Sequence, residues 1–421
     1  MASIAWLDGG LDAALALARA QQRPLFLYWG AVWCPPCNRV KAEIFARDEF
    51  IARSASVLCF HLDGDSQGAQ ALAERHQLRS YPTLVLIAPD GAEITRLPCE
   101  LDGELFVNAF DNALAVHAAG SGAAAAMQAA LSGERELSAN EWSLLSQYSW
   151  DTDEGKLLGA RDPAATLSAL AAVCSDNDAA ARLRLHAQLS AGSADPAFLL
   201  AVFGDARLAR ANMDILSNNG INLIKIASRR EELAAALGGV AAQWAEDFWL
   251  GAPDRLAAVR LQMRLARLLS PTHGLQEQVR QRIDEALAES TDPYERHALV
   301  NTAVSALNDA GLAAQAEQVL LAELPRSHSP YYFMLSLAGS AKRRGDTAAV
   351  LDWYGKAWQA AVGPATRLQW GVTYINSLME LSPQDTARIE QATQGLQADI
   401  AAAGADANHQ RNLAQLQKLR G

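Results

Sequence analysis

The 421-residue sequence holds no uninterrupted apolar stretch near the ~18 residues that mark a membrane-spanning helix. It also lacks a basic excess. The net charge is −11, with 9 Lys/Arg against 14 Asp/Glu in residues 1–118 and 27 against 33 in the remainder. Neither part offers the positive footprint that nucleic acid or an anionic membrane requires. The start, MASIAWLDGGLDAAL, has no basic segment ahead of an apolar one, so no secretory leader is expected. Cysteine is scarce, and five is an odd number. Cys59, Cys99 and Cys174 have no evident partner, which fits a reducing compartment better than a disulfide-stapled secreted fold. The expected location is therefore the cytoplasm, or the periplasm if a leader has been removed.

What is present divides the chain in two. Residues 11–22 have helical spacing, LFLYWG (25–30) reads as a strand buried on both faces, and SVLCFHLDGD (56–65) as a second. The segment after Cys37 reads as one helix to about Arg53, with Val40, Ile44, Phe45 and Phe50 apolar. AQALAERHQL is helical. YPTLVLIAPDGAEITRL then reads as a hairpin turning at Asp90-Gly91, and a helix from Asp102 to about His117 follows. This order predicts an α/β domain over 1–118 with helices on both sheet faces. Residues 119–126 are small and featureless, as a linker would be. From there the chain reads as all-helical, divided into a helical domain at 127–289 and helical repeats at 290–421. Gly311 and Gly345 lie 34 residues apart, the spacing of a two-helix repeat. Residues 290–365 or so resemble the tetratricopeptide repeat, most clearly in GDTAAVLDWYGKAW. Glu323 departs from the pattern where the family prefers a small residue, and Val350 where it usually has Ala.

The chemistry centres on WCPPC, residues 33–37. A zinc site needs four ligands, and neither the other cysteines nor His61, His76 and His117 supply a second close pair; no metal is expected. A static disulfide between Cys34 and Cys37 closes too short a loop to stabilise much. A redox pair explains the context better. A cysteine just ahead of a helix faces free backbone N–H groups and the positive end of the dipole, which favours thiolate. Pro35 and Pro36 form the active-site loop, and Pro36 suits the first turn, where a missing N–H costs nothing. Cys34 is then the exposed attacking sulfur and Cys37 the resolving one.

Residues 1–118 resemble the thioredoxin superfamily in the aromatic strand, in WCPPC and in YPT at 81–83. The WCPPC motif is shared with tryparedoxins and nucleoredoxins. AEIFARDEFIA and LRSYPTLVLIAPDGAEI are more similar to the C-terminal domain of the DsbD reductases. The resemblance implies a cis peptide before Pro82, which faces the cysteines. It implies that the backbone of Tyr81 pairs with a bound substrate chain, and that a substrate disulfide enters beside Trp33 and Pro82. It also implies catalysis by Cys34 and Cys37 without a cofactor. Three positions depart from the family: Tyr28 stands where thioredoxin has a buried aspartate, Cys59 at its lysine partner, and Pro98-Cys99 near an expected glycine. Cys59 is expected to be a buried strand residue and Cys99 an inert thiol, His61 and His76 surface or capping residues, and the seven tryptophans of the helical half mostly core.

The function expected is protein thiol–disulfide exchange, with electrons from a redox partner protein and the helical half recruiting a protein partner. The alternatives are an interaction or chaperone-like protein with a redox-sensing module, and a disulfide isomerase.

Overall fold

The computed structural model describes residues 3–269, 275–404 and 417. Four strands form one mixed sheet: β1 (Leu25–Gly30), β2 (Leu58–Asp63), β3 (Thr83–Ile87) and β4 (Glu93–Leu97), in the order β2-β1-β3-β4. β1 and β2 are parallel, and the other pairs antiparallel. All six residues of β1 are buried, as its unbroken apolar run requires for a central strand covered on both faces. Leu25, Leu27 and Trp29 pack toward α1 (Leu11–Gln21) and α4 (Ala69–Arg75). Phe26 and Tyr28 point the other way, toward α2 (Pro35–Val40), α3 (Asp48–Ser54) and α5 (Gly103–Ala118). The β3–β4 hairpin turns at Gly91, whose φ of 95° explains the glycine.

The helix expected from Cys37 to Arg53 is broken. α2 passes into a π-helical turn, Lys41–Phe45, and the chain restarts as α3 after Arg47 in an extended conformation. The cause is visible in the sequence. At ~100° per residue, Val40, Phe45 and Phe50 would point to three different sides of an unbroken helix. The break brings Phe45 and Phe50 together against Phe26.

The expected linker needs correction as well. Residues 123–126 begin α6 (Ala123–Ser132), and Ala123, Ala126, Met127, Ala129 and Ala130 are buried. α6 packs on β4, and α7 (Ala139–Ser146) packs on α5, so one apolar core runs from Ile4 to Ala187. The fully buried Arg96 of β4 joins the two parts. It pairs with Glu93 and donates to the carbonyls of Gln77 and Thr152, while its own carbonyl accepts from Ser149 N.

The rest of the described chain is helical, with further cores over 185–337 and 331–396. Helices Pro293–Asp309 and Ala313–Glu323 form one hairpin, Pro330–Arg344 and Thr347–Ala360 the next. Gly311 and Gly345 sit in the two turns at φ 77° and 73°. The anomalous Glu323 is buried and accepts two 2.8 Å hydrogen bonds from Arg296 of the preceding helix. Of the seven helical-half tryptophans, Trp249 is not core: it is 84% exposed beside Phe248.

Candidate functional site

β1 delivers the chain at Gly30 to a short turn, and Cys34 becomes the N-cap of α2. Its Sγ accepts a hydrogen bond from Cys37 N at 3.2 Å, so a free donor of the helix start is aimed at the first sulfur. Pro35 and Pro36 occupy the first turn, where no donor is lost. Cys34 and Cys37 are joined as a disulfide, with Cα atoms 5.2 Å apart. The Tyr81–Pro82 peptide is cis. The Tyr81 ring meets Trp33 edge-on at 5.8 Å and Trp29 at 4.9 Å, and Pro82 is buried. The expected residues therefore assemble around one loop.

The departures are filled by apolar packing. Tyr28 is buried with its hydroxyl unpaired, and burial raises its pKa far out of reach. His61 is half-buried rather than on the surface. It stacks on Tyr28 at 4.5 Å, and burial, aided by Lys41, lowers its pKa to about 4. His76 caps the end of α4. Burial pushes the Cys59 thiol up to about 12 and Cys99 well above its ordinary value. Among the described residues, no group of His, Cys, Asp and Glu could hold a metal ion.

The expectation that Cys34 lies exposed is overturned. It is 3% exposed and Cys37 is 0%. Helices far along the chain cover the loop. His297 Nε2 donates to the Trp33 carbonyl at 3.1 Å, and His328 Nε2 to that of Val32 at 3.2 Å. Each ring nitrogen faces a carbonyl, which only accepts, so each carries its proton on Nε2. The Trp33 indole donates to Thr366 Oγ1 at 2.8 Å, stacks on Tyr332 at 5.7 Å and meets Trp370 edge-on at 5.5 Å. Asp65, in the turn after β2, accepts from Thr366 N at 2.9 Å and from Thr366 Oγ1 at 2.5 Å. Below the loop, Arg39 of α2 pairs with both Glu43 and Asp254, and Lys41 lies over the Tyr294 ring.

Sequence reasoning missed His297, His328, Thr366 and Asp65. One signal was available: the helix Pro364–Leu381 starts after a glycine and has no side-chain cap of its own. An acid from elsewhere can serve that end, and Asp65 does.

A family model described as a thioredoxin-like domain matches residues 11–114. This part of the chain is a thioredoxin-like domain. The chain is 31% identical over 102 residues to thiol:disulfide interchange protein DsbD 2 of Pseudomonas aeruginosa, covering 24% of this chain and 17% of that protein. It is 31% identical over 110 residues to thiol:disulfide interchange protein DsbD of Pseudomonas fluorescens, covering 26% and 18%. It thus spans less than a fifth of the length of these relatives. A solved structure titled DsbH oxidoreductase aligns with 20% identity and a TM-score of 0.25, over 27% of this chain and 88% of that one. The helices beyond the thioredoxin-like domain lie outside the family match.

Proposed function

We propose that the protein is a thiol–disulfide oxidoreductase acting on protein substrates through Cys34 and Cys37. The observation that carries this is the bonded pair at the start of α2, with Cys37 N–H directed at Cys34 Sγ. A thiolate formed at Cys34 is stabilised by that donor and the helix dipole. It attacks a substrate disulfide and forms a mixed disulfide, releasing one substrate thiolate. Cys37 then attacks the Cys34 sulfur, releases the second thiolate and leaves the pair oxidised. Two electrons pass to the substrate, and the reverse sequence oxidises a dithiol. A second protein must supply or accept those electrons. Trp33, Tyr81 and Pro82 line the approach, so a protein substrate requires the covering helices to move away. The hairpins from Pro293 to Ala360, read as tetratricopeptide-like, recruit the partner.

Buried cysteines stay unpaired in a reducing and in an oxidising compartment alike. Cys59 and Cys99 are buried, and burial holds both as thiols. The named interchange chemistry of the relatives weakens the cytoplasmic expectation. Among the described residues, no single helix is long and apolar enough to cross a membrane.

The cover favours a second reading, a redox-sensing interaction protein in which the disulfide reports conditions and the helices act. Insulin-disulfide reduction with dithiothreitol separates the two. The oxidoreductase turns over insulin in the wild type, and Cys37→Ser stalls as a mixed disulfide at Cys34. A sensor gives no turnover in either protein.

A further inference from the structure

The cover meets the redox loop through two histidines from separate segments, His297 on the helix Pro293–Asp309 and His328 in the turn before Pro330. They donate to consecutive carbonyls, those of Trp33 and Val32, just ahead of Cys34. The two rings lie 4.9 Å apart. His297 is 2% exposed, and His328 sits outside it, exposed.

The partners of each ring decide what acid does here. An imidazolium keeps its Nε2–H, so a proton leaves both carbonyl bonds in place and adds a donor and a charge at Nδ1. In His297 that nitrogen faces Ser327 Oγ at 3.3 Å, and the same oxygen already accepts from Ser329 N at 3.1 Å. The ring stacks on Phe333 at 4.7 Å and meets Tyr332 at 5.8 Å. The titratable group that faces it is His328. His328 packs on Tyr294, and the charges that face it are Lys41, which opposes a proton, and Asp292, which favours one. Asp292 also caps its own helix, accepting from Tyr294 N and Glu295 N. Among the described residues, no carboxylate bonds to either ring. An enclosed charge without a counter-charge is costly, and a second like charge beside it adds to that cost. Moving the cover away returns both rings to water.

We propose that His297 and His328 form an acid-released latch, closed while both rings are neutral and opened by their protonation to uncover Cys34 and Cys37. The latch governs access and does not depend on which reaction the cysteine pair performs. Burial, with His328 adding, lowers His297 from 6.5 to about 4 in the closed form, and burial lowers His328 as well. The closed form is therefore fully favoured above pH 6.5 and loses ground as the pH falls toward 4. Between pH 7.5 and 5, His297 alone enlarges the open population about 30-fold. Glu43, whose carboxyl is raised by burial beside Arg39, titrates with the opposite sign, so the effect is read against a variant that retains it.

The test follows reduction of the Cys34–Cys37 disulfide in the full-length protein by tris(hydroxypropyl)phosphine at pH 7.5 and pH 5. Bis(2-hydroxyethyl) disulfide in the same tube is the standard that cancels the reagent's own pH dependence, and circular dichroism follows the fold. The reference is the double variant His297→Gln with His328→Gln, whose amides can still donate to the loop but do not titrate. From pH 7.5 to 5, the rate relative to the standard should rise about 30-fold more in the wild type than in the double variant. His328→Gln alone, a change at an exposed position, should give a smaller rise than the wild type, because His297 then has no charged neighbour. A wild-type rise within threefold of the double variant's overturns the latch. If the double variant does not fold, a wild-type rate that stays flat, or a rise in His328→Gln equal to the wild type's, overturns it instead.

Discussion

Thr366→Val removes one hydroxyl from the contact that holds the helical cover on Trp33. That oxygen accepts from the Trp33 indole at 2.8 Å and donates to Asp65 at 2.5 Å. Valine nearly matches threonine in shape but makes neither bond, and Asp65 keeps the backbone N–H groups of residues 366 and 365. A neutral hydrogen bond contributes about 1 kcal/mol and one to a charged group about 1.5–3 kcal/mol. In an opened molecule, water satisfies the same groups. The closed arrangement should therefore lose roughly 2–4 kcal/mol relative to the open one. At about 1.4 kcal/mol per decade, that is a roughly 30- to 1000-fold larger open population. Cys34 is 3% exposed when covered, so its alkylation follows that population. The assay reduces the protein, adds limiting iodoacetamide and measures Cys34 labelling by peptide mass spectrometry, with circular dichroism as a check on folding. A Thr366→Val protein that is folded and labels Cys34 within twofold of the wild-type rate would refute the claim that this contact closes the site.

Further outcomes follow from the same geometry. Burial, with His328 adding, lowers the His297 pKa from 6.5 to about 4, against the opposing bond to Trp33. The closed, folded state therefore holds neutral His297 and is fully favoured above pH 6.5. It loses roughly 3 kcal/mol as pH falls toward 4. The urea midpoint should drop over that window in the wild type and drop less in His297→Phe; equal drops would remove His297 as the cause. Glu323→Ala leaves Arg296 half-buried without its carboxylate and should cost about 2–4 kcal/mol in urea denaturation; a loss under about 0.5 kcal/mol would mean that the pair is replaced by water without penalty. In the oxidised, folded protein, half-buried Cys174 should alkylate before the buried Cys59 and Cys99; faster labelling of Cys99 would place that thiol in a more accessible setting than the fold provides.

The thioredoxin-like half was legible because its signals are local. The buried run of β1, the Asp90-Gly91 turn, the cysteine pair at a helix start and the Tyr81-Pro82 step each lie within a few residues. The π-turn at Lys41–Phe45 leaves its trace in the sequence only as the mismatched angular positions of Phe45 and Phe50. The cover was not legible, because its contacts join residues 264 to 333 positions apart. Hydrophobic periodicity shows that Pro293–Asp309 and Pro364–Leu381 are helices and leaves open what they pack on. His297 and Thr366 read as ordinary helix residues, and only docking against Trp33 gives them a role. The expected linker failed for a related reason: a run of alanines carries little pattern, yet its small side chains let α6 pack closely on β4.

The central claim, that Cys34 and Cys37 exchange reversibly between dithiol and disulfide in the folded protein, is tested most directly by redox equilibration. The protein is incubated across a series of oxidised and reduced dithiothreitol ratios, quenched with acid and alkylated. The 34–37 peptide is then quantified by mass spectrometry while circular dichroism follows the fold. The account predicts one reversible two-electron transition confined to this peptide, with the fold intact on both sides and the same midpoint when Cys59, Cys99 and Cys174 are replaced by serine. A pair that stays oxidised until the chain unfolds would be a static disulfide, and the account would be wrong.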